Sequence, residues 1–263
     1  MTLHVESVGA GAPLVLLHGW ALHGGIFAPL LPELSMRYRV HVIDLPGHGH
    51  SAPLLPYTLD SVTDALMQAI DGIDGADAPL AILGWSFGGM LAQRLAARFP
   101  SRVAQLVLVC TTPRFANGDG WTHGVAPRVL QQFADELRVA QDATLRRFLA
   151  LQMLNVPHAR ATLARMRVLL DARPRANAAA IDGALAILAT ADLRGAAATL
   201  AAPALVVSGG RDALAPAAAG AWLAAAMPDA TLATIAEAAH VPFLSHPVEF
   251  SAALARFADA VTG

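Results

Sequence analysis

The stretch "LAILGWSFGGMLAQRLA", residues 80–96, joins an apolar run to a helical pattern through Gly84-Trp85-Ser86-Phe87-Gly88. A turn this tight leaves no room for Cβ atoms at its flanks, and glycine removes them. It also pushes the side chain at its tip beyond the sheet edge, where it is exposed and usable. Glycine two residues before and two after a serine, between a strand and a helix, is the pattern of a nucleophile elbow. The stretch therefore predicts a buried strand over 80–84, a helix over 87–98 and a reactive hydroxyl on Ser86.

Other short apolar runs repeat the motif of strand followed by helix. "PLVLLHG" (13–19), "YRVHVID" (38–44), "AQLVLVC" (104–110) and "PALVVSG" (203–209) are bounded by Gly, Pro or Asp and have the length of buried strands. Helical patterns stand between them, over 59–71 and 213–226. Such alternation predicts an α/β fold with a mostly parallel sheet covered on both faces. The rhythm stops between about 112 and 195, where the sequence is helical and rich in arginine. That segment is too long for a connection. It reads as a helical cap inserted into one core built from 1–111 and 196–263. The cap is expected over the C-terminal edge of the sheet, where open α/β folds bind ligands.

Composition agrees with a folded enzyme-sized core. Of 263 residues, 55% are apolar and only 14% charged, which excludes a disordered chain. No window reaches the roughly 18 unbroken apolar residues of a membrane span. The N-terminal stretch lacks the basic region and long apolar run of a signal peptide. Cys110 has no cysteine to pair with and is expected to be a buried structural thiol. A cytoplasmic monomer is expected. The net charge of −2 hides an asymmetry, because all eighteen basic residues are arginine. Ten of them lie between Arg114 and Arg175 against five acids, so that segment is +5 and the remainder −7.

A serine hydroxyl needs a base within hydrogen-bond reach, itself oriented by an acid. Asp212 follows the strand candidate "PALVVSG", and His240 follows the next one, in "IAEAAHVPFLSHP". Asp44, at the end of "YRVHVID", is the second choice of acid and is expected to anchor its own loop. His48 and His50 in "DLPGHGHS" have no acidic or cysteine partners beside them, so a glycine-rich turn explains them better than a metal site. Attack on an ester carbonyl makes an oxyanion that two fixed N–H donors stabilise by several kcal/mol. The residue after the nucleophile, Phe87, and Trp20 in "LLHGW" are the expected donors, with His18 and Gly19 as scaffolding.

With these residues in place, the whole chain resembles the α/β-hydrolases, whose chain order of nucleophile, acid and base is that of Ser86, Asp212 and His240. More narrowly it is similar to the pimeloyl-[acyl-carrier protein] methyl ester esterases of biotin synthesis. That similarity rests on "LLHGWAL", "LGWSFGGM", "RRFLALQ", "AILATADLR" and "AEAAHVPFLSHPVEF". It implies a Ser86–His240–Asp212 triad, an oxyanion site at Trp20 and Phe87, and an acyl channel along Phe148, Leu149, Ala150, Leu151 and Gln152. It implies no metal and no organic cofactor. The implied partners are an acyl-carrier protein bearing a pimeloyl methyl ester, and small esters, with no nucleic acid and no membrane. Of the family's carrier-docking arginines, Arg147 and Arg160 match. Ala143 and Ala164 stand where other members carry arginine, and Arg146, Arg165 and Arg167 are close enough to compensate. A broad-specificity short-chain carboxylesterase is the alternative. A hydrolase-like receptor for a small ligand is a further one.

Overall fold

In the computed structural model, described for residues 2–73, 78–154, 156 and 159–262, the apolar runs form one seven-stranded sheet. Its strands are β1 (Val5–Val8), β2 (Ala12–Leu17), β3 (Tyr38–Ile43), β4 (Leu80–Trp85), β5 (Val103–Val109), β6 (Ala204–Gly209) and β7 (Ala230–Ile235). Their order is β1-β3-β2-β4-β5-β6-β7. Only β1 runs antiparallel, against β3, and the other pairs are parallel. All four predicted strands beyond the elbow form, each within two residues of its expected ends. β1 lies outside the predicted set. It is an edge strand with Glu6, Ser7 and Val8 exposed, so it carries no buried run to read.

The first helices are α1 (Leu31–Leu34), α2 (Leu59–Asp71) and α3 (Phe87–Arg98). Between β5 and β6 come α4 (Pro127–Leu151), α5 (Ala159–Leu170), α6 (Ala178–Thr190) and α7 (Arg194–Ala197). The chain closes with α8 (Ala217–Ala226), α9 (Pro242–Ser245) and α10 (Pro247–Thr262). Local chemistry sets several of these ends. Thr58 and Ser61 form a reciprocal capping box at the start of α2. Pro127 opens α4, where a missing N–H costs nothing. The Asn177 side chain accepts from Ala180 N at 2.8 Å and caps α6. Ala140, at φ −146° and ψ 61°, divides α4 into two helical pieces.

The period of two along each strand explains the double-sided core. In β4, Leu80 and Ile82 pack with Val62, Leu66 and Ile70 of α2 and Leu91 and Leu95 of α3. Ala81, Leu83 and Trp85 face the other way, toward Phe250, Ala253 and Phe257 of α10. Every residue of β4 is buried, as befits a central parallel strand. Parallel pairing also gathers the C-terminal ends of β2 and of β4 to β7 along one sheet edge, and the candidate site is built there.

Candidate active site

Ser86 stands between β4 and α3 at φ 56° and ψ −118°, a conformation that side chains rarely adopt. The surroundings hold it there. A Cβ on Gly84 would lie 2.4 Å from the Gly88 carbonyl oxygen, and one on Gly88 would lie 2.2 Å from that of Leu17. Only glycine at both flanks lets the turn close against β2. Ser86 N donates to Val109 O at 2.9 Å, and the Thr111 hydroxyl donates to Ser86 O at 2.7 Å.

The three residues chosen from the sequence meet. Ser86 Oγ is 2.9 Å from His240 Nε2, and His240 Nδ1 is 2.8 Å from Asp212 Oδ2. An ionised carboxylate only accepts, so Nδ1 carries the imidazole proton and Nε2 presents a lone pair to the serine. The other carboxylate oxygen of Asp212 accepts from Leu214 N at 2.8 Å and Ala215 N at 3.0 Å. The His240 backbone is held from both sides. Its carbonyl accepts from Trp85 Nε1 at 2.7 Å, and its N–H donates to the Gln152 carbonyl at 3.2 Å. Asp212 and His240 are buried, and Ser86 is half-exposed.

Asp44 is occupied elsewhere. Fully buried, it accepts from Gly24 N at 2.7 Å and His50 N at 3.0 Å. Arg173 Nη1 reaches both of its oxygens, at 3.0 and 3.1 Å. Burial alone would raise its carboxyl, but His18, these N–H donors and Arg173 together hold it below the ordinary value. Asp44 thus anchors loops. His18 supports the turn after β2: its Nε2 accepts from Leu45 N at 2.9 Å and its Nδ1 donates to Gly19 O at 2.8 Å. His48 Nδ1 donates to Pro46 O at 2.9 Å, as expected of a turn rather than a metal ligand.

Phe87 is the first residue of α3, and its N–H is one of those a helix leaves without an intrahelical acceptor. Trp20 follows the close approach at Gly19, where an added Cβ would meet Ser86 Cβ at 3.4 Å. Its indole Nε1 donates to Ile181 O at 2.9 Å, and its ring packs edge-on against Phe148 and Phe133. The core loop is thereby knitted to α4 and α6.

A cavity of about 220 Å³ lies between that loop and α4 and α5. Phe148 and Leu149 line it together with Ala21, Leu22, Arg146 and Arg167. Ala150 is exposed and Leu151 half-buried, and neither is among the lining residues. Gln152 is buried beside His240, and both polar atoms of its side-chain amide lack a hydrogen-bond partner among the described residues. Arg146, Arg147, Arg160, Arg165 and Arg167 are all exposed. Arg147 pairs with Glu136. The other four form no ion pair among the described residues.

Two features of the site were not anticipated. Arg173 joins the segment after α5 to Asp44, 129 positions away, and Cys110 stands directly against Asp212 and His240. The first had a weak signal, since a buried aspartate requires a cation and the arginines cluster in one segment. The second had none.

The family profile described as alpha/beta hydrolase fold matches residues 12–247. The chain belongs to the α/β-hydrolase family. This α/β-hydrolase is 43% identical over 255 residues to the pimeloyl-[acyl-carrier protein] methyl ester esterase of Chromobacterium violaceum, covering 97% of each chain. It is 43% identical over 259 residues to the protein of that name in Xanthomonas oryzae pv. oryzae, covering 98% of this chain and all of the relative. Among solved structures, an esterase from Exiguobacterium antarcticum matches with a TM-score of 0.88 at 21% identity, over 99% of this chain and 96% of that one. That likeness speaks for the α/β-hydrolase fold alone.

Proposed function

We propose that the protein is a serine carboxylesterase that hydrolyses the methyl ester of pimeloyl-[acyl-carrier protein], releasing methanol, in biotin synthesis. The observation that carries this reading is the Ser86–His240–Asp212 hydrogen-bonded relay in a chain 43% identical to esterases of that name. In this reading Ser86 Oγ attacks the ester carbonyl carbon as His240 Nε2 takes its proton. Asp212 keeps the imidazole in the required tautomer. The Phe87 and Trp20 N–H groups receive the oxyanion, and His240 returns the proton to the departing methoxide. Water, deprotonated by the same imidazole, then frees the acid and restores Ser86.

Segment 112–195 is the cap, set on a core of 1–111 and 196–263. The acyl chain runs beside Phe148 and Leu149 toward the buried amide of Gln152. The exposed guanidiniums of Arg146, Arg160, Arg165 and Arg167, which form no ion pair among the described residues, suit an acidic carrier protein, with Arg147 already engaged by Glu136.

The test is direct. The purified protein is given a methyl pimeloyl-carrier, and mass spectrometry of the carrier follows loss of the methyl group, with Ser86→Ala as control. Rescue of a biotin-requiring strain that lacks this esterase provides the second arm. Turnover of p-nitrophenyl acetate with no action on the carrier-linked ester would leave a generalist esterase instead.

A further inference from the structure

Cys110 follows β5, the strand between those that lead to Ser86 and Asp212. It is 1% exposed and sits at φ 45°, where a residue with a Cβ is strained. Two surroundings hold it: its N–H donates to Val207 O at 2.8 Å, and its thiol donates to the Ala239 carbonyl at 3.6 Å. Ala239 is the residue before His240. Sγ, a carboxylate oxygen of Asp212 and a ring nitrogen of His240 all lie within 4.8 Å of one another. One sulfur, at the end of β5, therefore bonds the loop that carries the base and lies close beside the acid.

We infer that Cys110 is a positioning residue for the hydrolytic reaction, tethering the His240 loop and keeping water from the Asp212–His240 hydrogen bond. The inference rests on the triad reading above. A dry surrounding strengthens a charged hydrogen bond, and a filled one fixes its length. A sulfhydryl meets both needs, being apolar in bulk with a weak donor at its tip. Burial and the neighbouring Asp212 carboxylate push the thiol well above its usual range, so it stays protonated and keeps that donor. The same three groups make a poor cation site, since the thiol resists ionisation and the Nδ1 proton is committed to Asp212.

The experiment compares Cys110→Ala and Cys110→Ser with the intact enzyme. Neither change alters the demand for positive φ. Cys110→Ala is expected to fold, with kcat lowered about 5- to 10-fold and KM within about twofold, the signature of a lost transition-state interaction. The His240 Nδ1 proton, followed by NMR on labelled protein, should exchange with water faster in this variant. Cys110→Ser keeps a donor for Ala239 and should recover kcat to within about threefold of the intact enzyme. Full kcat and unchanged proton exchange in Cys110→Ala would overturn the proposal and leave the sulfur a core filler. A serine variant no better than alanine would overturn the tether to Ala239. Both outcomes leave the triad reading standing, because Ser86→Ala would still abolish turnover.

Discussion

Ser86 owes its usefulness to strain that its neighbours impose. A serine at φ 56° is disfavoured in isolation, yet contacts of Gly84 and Gly88 with each other and with Leu17 leave the turn no alternative. The hydroxyl then meets an imidazole whose far nitrogen is already bound to Asp212. Removing Ser86 or His240 by alanine should lower ester turnover by at least ~10⁴-fold with the fold intact, since such groups act as a unit. Asp212→Asn should also cost several orders of magnitude, because an amide permits the wrong imidazole tautomer. Asp44→Asn should instead keep most of the turnover of folded protein. Steady-state rates on p-nitrophenyl acetate separate the two aspartates, and the reverse pattern would reassign the acid.

Elements are joined at one conspicuous point, where the segment after α5 returns to the core. Arg173 binds Asp44, which is wholly buried, and reaches Glu6 of β1 as well. Beside it, Asn177 N donates to Gly47 O at 2.9 Å and the His23 ring donates to Leu170 O at 3.1 Å. Three of these contacts pin the segment between β5 and β6 to the loops after β2 and β3, and the fourth ties it to β1. Arg173→Ala leaves the Asp44 charge uncompensated in the interior, which should destabilise the protein by about 3–5 kcal/mol. Urea unfolding at pH 7 measures this. A loss below about 1 kcal/mol, the range of exposed pairs, would show that water replaces the guanidinium.

Over the whole molecule, two charge effects act. His18 and His48 are fully buried, and burial first, with neighbouring histidines second, lowers them to about 3 and about 4. A histidine lowered in the folded state favours folding while neutral, so its contribution is complete above 6.5 and is lost as pH falls toward those values. At pH 5 each should cost about 2 kcal/mol relative to pH 7. Asp44, also lowered, acts in the same acid direction at lower pH still. Unfolding free energies should therefore fall steadily from pH 6.5 to 4, and a flat profile would mean the two imidazoles are hydrated. The second effect is the basic segment. Arg160→Glu with Arg165→Glu should raise KM for a carrier-linked methyl ester and leave p-nitrophenyl acetate unaffected. Salt should act likewise, as the screening length falls from ~10 Å at 0.1 M to ~3 Å at 1 M. Equal effects on both substrates would remove the docking role of these arginines.

Much of this was legible in the chain. Apolar runs bounded by turn residues marked β2 to β6, because burial on two faces and steric limits on turns act over a few residues. The elbow could be read for the same reason: Gly84 and Gly88 answer a crowding problem that lies within five positions. β1 escaped because an exposed edge strand carries no burial pattern. Chain order already ranks Asp212 ahead of Asp44, but the physical ground for that choice lies in the fold, since both follow buried strands and precede tight turns. Sheet order makes that choice. β6 is next to β7, which leads to His240, whereas β3 lies five strands from β7. At about 4.8 Å per strand that is roughly 24 Å, far beyond a hydrogen bond. Cys110 and Arg173 belong to the same class. Their partners lie 129 and more positions away, and contacts of that span depend on which strands are neighbours, a property of the assembled sheet that no local pattern encodes.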